Sequence, residues 1–260
     1  MSICDGEMVN IGAALFVKVC WANHACAPNA FIVFNGSVAS MRACKVIHPG
    51  EQILVSYTDS VTARRLRKSE LLESYFFNCK CKLCTRIDDP LEMIFCQSCG
   101  VAGVPGVCSV CKSVMQLKDI DSSDISSIDT YKKCALKLAK THWKLFKCRD
   151  RLIQSLLKSR DYLATIDMMQ LQMDAYKSIF GPIYPMVTVN QLTIFKARLH
   201  LERFPDGGQE CLAAFAKTHG SDHPLYIEAL DNFRMLLHDA DANNRAHTGE
   251  AGTGCDSCIY

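Results

Sequence analysis

Cys79, Cys81 and Cys84 stand within six residues, in "CKCKLC". Sulfurs this close suit a metal ion better than they suit one another, because disulfide geometry is hard to reach at such short range. Structural zinc wants four thiolates in a tetrahedron, so this group needs a fourth ligand from elsewhere. Cys4, Cys20, Cys26 and Cys44 are the upstream candidates, and spacing does not choose among them. The alternative is a nest of buried free thiols, which would be hard to keep unoxidised. A second group, Cys96, Cys99, Cys108 and Cys111, is a pair of C-x2-C knuckles separated by the eight residues "GVAGVPGV". That spacer can turn back on itself, so the knuckles can face each other and close a site of their own. The spacer is short for such a site, which leaves free thiols as the other reading. A closed four-thiolate site has no open position, so both metals are expected to be structural rather than catalytic. Cys255 and Cys258 form another C-x2-C in the polar tail, with no partner pair nearby.

These side chains need elements to hold them. With 260 residues, 49% of them apolar, the chain is long enough to bury a core in one or two domains. Its 16 cysteines, in a chain of this size with no signal peptide legible in Met1 to Asn10, point to metal binding in the cytoplasm or nucleus rather than to a secreted disulfide framework. A formal charge of +2 argues against direct nucleic-acid binding, and the longest apolar stretch, Ile11 to Ala22, carries Lys18 and is too short for a membrane span. Residues 1–60 read as β-rich. "FIVFNGSVASMRACKVI" holds a hairpin signal at Asn35-Gly36, and Pro49-Gly50 turns the chain into a further strand. Thr62 to Phe77 is predicted to be a helix, with Asp59 or Ser60 near its start and Leu66, Leu72 and Phe76 on its apolar side. The basic run Arg64, Arg65, Arg67 and Lys68 reads as the solvated side of that helix. A polar stretch over 118–129 reads as a linker, and 130–241 is helical throughout by periodicity, "YKKCALKLAKTHWKLF" and "RLIQSLLKSRDYLATIDMMQLQMDAYKSIF" included. Gly181 and Gly220, and Pro185 and Pro224, are each 39 residues apart. That period suits tetratricopeptide-like helix pairs, an ordinary bundle being the alternative. Residues 242–260 read as a disordered tail.

"NHACAPNA" (23–30), "GEQILVSYTD" (50–59) and "YFFNCKCKLC" (75–84) resemble, in order and spacing, the second half of a SET domain and its post-SET segment. "THGSDHPL" and the helices around it are similar to the C-terminal helical domain of the SET and MYND family of protein-lysine methyltransferases. The resemblance implies an α+β chain. A partial SET domain over 1–77 and a zinc-bound post-SET segment over 78–117 would precede the linker and an all-α, tetratricopeptide-like domain over 130–241. It further implies that Cys26 completes the site of Cys79, Cys81 and Cys84. Asn23, His24 and Phe77 would lie on S-adenosylmethionine, Tyr57 at the inner end of a lysine channel and on the cofactor, and Tyr75 along that channel. The implied activity is S-adenosylmethionine-dependent methylation of a lysine on a protein substrate.

Some of the family pattern is missing. Only 22 residues precede Asn23, where the family carries a MYND finger and the first half of SET with a glycine-rich cofactor loop. Ala25 stands in place of the usual serine, and Gly252-Thr253-Gly254 is the sole Gly-x-Gly. The expectation is therefore a fragment or truncated product that binds the cofactor weakly or not at all. The competing function is a non-catalytic, zinc-stabilised module whose helical repeats hold a peptide or protein on a concave face.

Overall fold

A computed structural model describes residues 2–4, 10–13, 15–116, 127–201 and 207–235. Strands of two to six residues, with two α-helices among them, come first and an all-helical part follows, so the chain is α+β. The strands pair only two at a time. β1 (Ser2–Cys4) lies against β2 (Asn10–Ala13), and β3 (Asn23–His24) runs parallel to β6 (Leu54–Val55). β4 (Ala30–Asn35) and β5 (Val38–Ala43) form the expected hairpin, with Asn35 opposite Val38. The two-residue loop is Gly36-Ser37, and Gly36 takes the left-handed φ of 57° that such a tight turn demands. Gly50 does the same at the Pro49-Gly50 turn.

α1 (Arg64–Tyr75) is shorter than the sequence suggests, and a different side of it faces inward. Leu71 and Arg67 are buried, whereas Leu66, Leu72 and Phe76 are exposed. The cause is one ion pair: Arg67 Nη2 lies 3.0 Å from Asp89 Oδ2, with both side chains fully buried, and Arg64 reaches the same carboxylate from the surface. The basic run is therefore not uniformly solvated. α1 starts without a side-chain cap from Asp59 or Ser60 and ends on Phe76 at φ 60°, a left-handed stop. α2 (Lys82–Thr85) follows, then β7 (Ile94–Phe95) paired with β8 (Ala102–Gly103), and β9 (Gly106–Val107) paired with β10 (Val114–Met115).

The helical part begins at Ser127, whose hydroxyl accepts from the Thr130 N–H and caps α3 (Ile128–Ala135). This places the helix two residues ahead of the predicted start. The rest of the predicted linker, 118–126, lies outside the described residues, as does the tail with Cys255 and Cys258. Periodicity carried "YKKCALKLAKTHWKLF" as one helix, yet the chain breaks at 136–142. There Phe95 N–H bonds the Lys137 carbonyl and Ala139 N–H bonds the Met93 carbonyl, so a non-helical stretch is held by the cysteine segment. His142 Nδ1 then accepts from the Lys144 N–H and opens α4 (Trp143–Lys158). Arg160, at φ 59°, and the Asp161 cap separate α4 from α5 (Tyr162–Phe180). Gly181 ends α5 and Pro185 opens α6 (Pro185–Leu199). Gly220 follows α7 (Gly208–Thr218), and Pro224 opens the helix over 224–235, so the two copies of the punctuation act alike.

One buried core runs from Cys26 and Leu71 through Leu91, Ile94 and Leu138 to Phe146, Tyr176 and Ile194, and so joins the cysteine segments to the helices. Beyond it, His223 Nε2 bonds the Phe34 carbonyl and Asn35 donates to the Asp222 carbonyl, which fastens the turn ahead of the helix over 224–235 to the β4–β5 hairpin. Among the described residues, no helix is long and apolar enough to cross a membrane.

Candidate active site and metal centres

The sulfurs of Cys26, Cys79, Cys81 and Cys84 converge, all within 4.8 Å of one another. The Cys26 sulfur is 3.4 Å from that of Cys84 and 3.9 Å from that of Cys79. Four sulfurs at a zinc–sulfur distance of about 2.3 Å around a tetrahedral ion stand about 3.8 Å apart, so the cluster fits zinc. Of the four upstream candidates, Cys26 alone is placed in this cluster among the described side chains. Cys20 is exposed, Cys44 is buried against the Pro28 carbonyl, and the side chain of Cys4 lies outside those described. The thiols crowd one another: burial pushes Cys79 up to about 11, and hydrogen bonding from Cys81 raises Cys26. Only a cation would let all four ionise together.

The second cluster is built from two matching knuckles. Cys96 N–H bonds the Val101 carbonyl and Gly100 N–H bonds the Cys96 carbonyl; Cys108 N–H bonds the Ser113 carbonyl and Lys112 N–H bonds the Cys108 carbonyl. The residue after each second cysteine, Gly100 or Lys112, is left-handed, at φ 74° and 62°. Each knuckle closes its own small hairpin, β7–β8 or β9–β10. The spacer therefore turns back as two hairpins rather than one. The sulfurs of Cys96 and Cys111 are 3.5 Å apart and those of Cys99 and Cys108 3.6 Å, again a zinc fit.

At His24, two residues before Cys26, the first centre meets a ring cluster. β3 is held in place by β6, and His24 projects from it between the metal centre and Tyr57. Its Nδ1 accepts the Tyr57 N–H at 3.0 Å, which leaves Nε2 as the protonated nitrogen, 3.2 Å from the Cys26 sulfur. Burial keeps this imidazole below its usual range and hence neutral. The His24 ring lies 5.3 Å from that of Tyr57 and 5.9 Å from that of Phe77, and Tyr57 and Tyr75 are 4.8 Å apart. The Tyr57 hydroxyl donates to the Ala22 carbonyl at 2.5 Å. Burial raises its pKa, so it stays a phenol at neutral pH. Tyr57 and Tyr75 line a cavity of about 570 Å³ with Val19, Cys20, Ala22 and Ser56. Thus His24, Tyr57, Tyr75 and Phe77 are brought together beside Cys26, while Asn23 is exposed.

The motif holds one residue whose task the sequence reading left unassigned. Asn29 is buried, accepts the Leu54 N–H at 2.8 Å and donates to the Gln52 carbonyl at 2.9 Å. It pins β6, two residues ahead of Tyr57. The available signal was its place in "NHACAPNA"; its partners, 23 and 25 positions away, are not legible from local turn chemistry.

The SET domain matches residues 3–58, which include Asn23, His24, Cys26 and Tyr57. Histone-lysine N-methyltransferase SMYD3 of Mus musculus and that of Homo sapiens are each 26% identical over 274 residues, covering 94% of this chain and 57% of the relative. The chain is related to the SMYD lysine methyltransferases. N-lysine methyltransferase SMYD2 of Bos taurus is 40% identical over 87 residues, 34% of this chain and 20% of its own length. The chain thus spans little more than half the length of its SMYD3 relatives, and the SET match ends before Tyr75, Phe77 and the CKCKLC cysteines.

Proposed function

We propose that the chain contributes to an S-adenosylmethionine-dependent protein-lysine methyltransferase. The carrying observation is the linkage of Cys26, His24 and Tyr57: the His24 imidazole bonds the Cys26 sulfur on one side and, on the other, the backbone N–H of the residue whose phenol lines the cavity. Zinc on the four thiolates would hold the NHACAPNA segment against the segment after α1, which brings Tyr75 and Phe77 to His24 and Tyr57. The cofactor, when bound, supplies an electrophilic methyl group. The residues of this chain do the positioning. Phe77 and the edge of His24 offer apolar surface for a purine, with Asn23 beside them. Tyr57 and Tyr75 flank an alkyl chain. The Tyr57 hydroxyl spends its proton on Ala22, so its oxygen is left to accept an N–H from a neutral lysine amine and fix its line of attack. A lysine-bearing protein is the substrate class that this implies.

A second reading, a zinc-stabilised interaction module, is favoured by the exposure of Trp21, Asn23 and Phe76, sequence neighbours of the cavity-lining Ala22 and Tyr75. Calorimetry with S-adenosylmethionine, on protein with both metal sites filled, separates the two. The methyltransferase reading expects binding, weak at about 0.1 mM or above because Asn23 is exposed, that Phe77→Ala removes. Absence of any binding heat leaves the interaction module standing.

A further inference from the structure

A second cavity, of about 900 Å³, shares no residue with the one at Tyr57. It opens where α2, the β7–β8 hairpin, α3 and α5 meet. Its floor is apolar, with Phe95, Leu138 and Ile179 among its walls, and its size lies within the range of small-molecule sites. Every charged side chain that lines it is a cation: Lys45, Lys82, Arg86 and Lys140. Asp88 offsets Arg86 at 2.9 Å, and Glu51 feels Lys82 from farther away, which still leaves cations in excess. The Thr141 and Ser178 hydroxyls in the walls are already spent, on the Pro90 and Ala175 carbonyls. Behind the wall, the buried Arg149 guanidinium bonds the carbonyls of two lining residues, Lys140 and Leu171. Its Nε has no hydrogen-bond partner, and its charge is met from within by Asp150 and by the Phe146 ring at 4.9 Å, so the charge open to a ligand is that of the lining lysines. The unmet demand of this cleft is therefore for negative charge above an apolar body.

We propose that the cleft binds an amphipathic organic anion, an alkyl or aryl body that carries a phosphate or carboxylate head. The body packs on the α3 and β7–β8 walls, and the head sits among Lys45, Lys82 and Lys140. The two parts make different contributions: apolar burial gives affinity, and the lysines select the sign of the head group. This site stands independently of the methyltransferase reading.

The test is calorimetry on the zinc-loaded full chain with dodecyl phosphate, dodecanol and dodecyltrimethylammonium, each below its micelle concentration. Dodecyl phosphate is expected to bind at least about 10-fold more tightly than the other two. The double variant Lys45→Glu/Lys140→Glu, exposed at both positions, should erase that preference and leave the unfolding midpoint unchanged. Ala135→Trp, which fills the cleft from α3, should abolish binding of all three. Equal affinity for anion and cation, or a preference that survives the double variant, overturns the proposal. It is also overturned if a Glu-rich peptide with a central Leu binds the cleft and the alkyl anions do not, because the groove is then a peptide site.

Discussion

Cys26→Ser is the most informative single change. It removes a fully buried sulfur from a cluster whose other members lie 53 to 58 residues away. In a chain-entropy treatment, a cross-link that closes a 53-residue loop stabilises the fold by about 4 kcal/mol, and loss of the metal forfeits that restraint. The change should lower zinc content by one equivalent per chain, measured by elemental mass spectrometry. It should also lower unfolding free energy in urea by about 4 kcal/mol. Cys111→Ser removes the other centre, whose Cys96–Cys111 loop has 15 residues and is worth about 3 kcal/mol in the same treatment. The two variants should differ in where the damage appears. Cys26→Ser should expose the amides around His24 and Tyr57 to hydrogen exchange, and Cys111→Ser only those around the second centre. Cys20→Ser, at an exposed cysteine, serves as control and should cost under about 0.5 kcal/mol. Unchanged zinc content in Cys26→Ser, or a loss no larger than that of the control, would refute the reasoning.

Three further outcomes follow from the same structure. Arg67→Leu should destabilise by about 3 kcal/mol, since it strands the buried Asp89 with only partial help from Arg64, whereas Arg65→Leu on the exposed side should change the urea midpoint little. Lys112→Gly should raise stability by about 1 kcal/mol in the same assay, because the left-handed φ at this position suits glycine, as at Gly100. Acid should weaken the fold through His219 and His142, both lowered by burial to about 4 from an ordinary 6.5. The unfolded chain binds their protons first, so their contribution is complete above pH 6.5 and is lost as pH falls toward 4. At pH 5 the loss is about 2 kcal/mol for each, and His219→Gln should flatten that part of the urea-midpoint profile between pH 7 and 5.

The parts legible in the sequence are those where chemistry and spacing coincide locally. The knuckle cysteines announce themselves, as do the hairpin at Asn35-Gly36 and the Gly and Pro that punctuate the helical half. What stayed hidden depends on partners far along the chain. Arg67 reads as a surface charge until Asp89, 22 residues away, is folded beside it. The break at 136–142 is invisible to periodicity because its cause is backbone in 91–95. His24 was singled out, but its role as the bridge from Cys26 to Tyr57 needed β3 and β6 side by side. Which cysteine would complete the first centre was open from spacing and was assigned by resemblance alone.

The fastening of His223 to Phe34 and of Asn35 to Asp222 bridges 189 and 187 positions, whereas the second centre closes over 15 and the first over 53 to 58. Loop-closure cost rises with length by about 0.6 kcal/mol per doubling, so these contacts form a timetable. The second knuckle pair can close while little else is ordered, the first centre next, and the hairpin-to-helix clasp last. The clasp is then a late event in folding and carries no metal. Changes there, such as His223→Ala, should speed unfolding while leaving the folding rate nearly untouched.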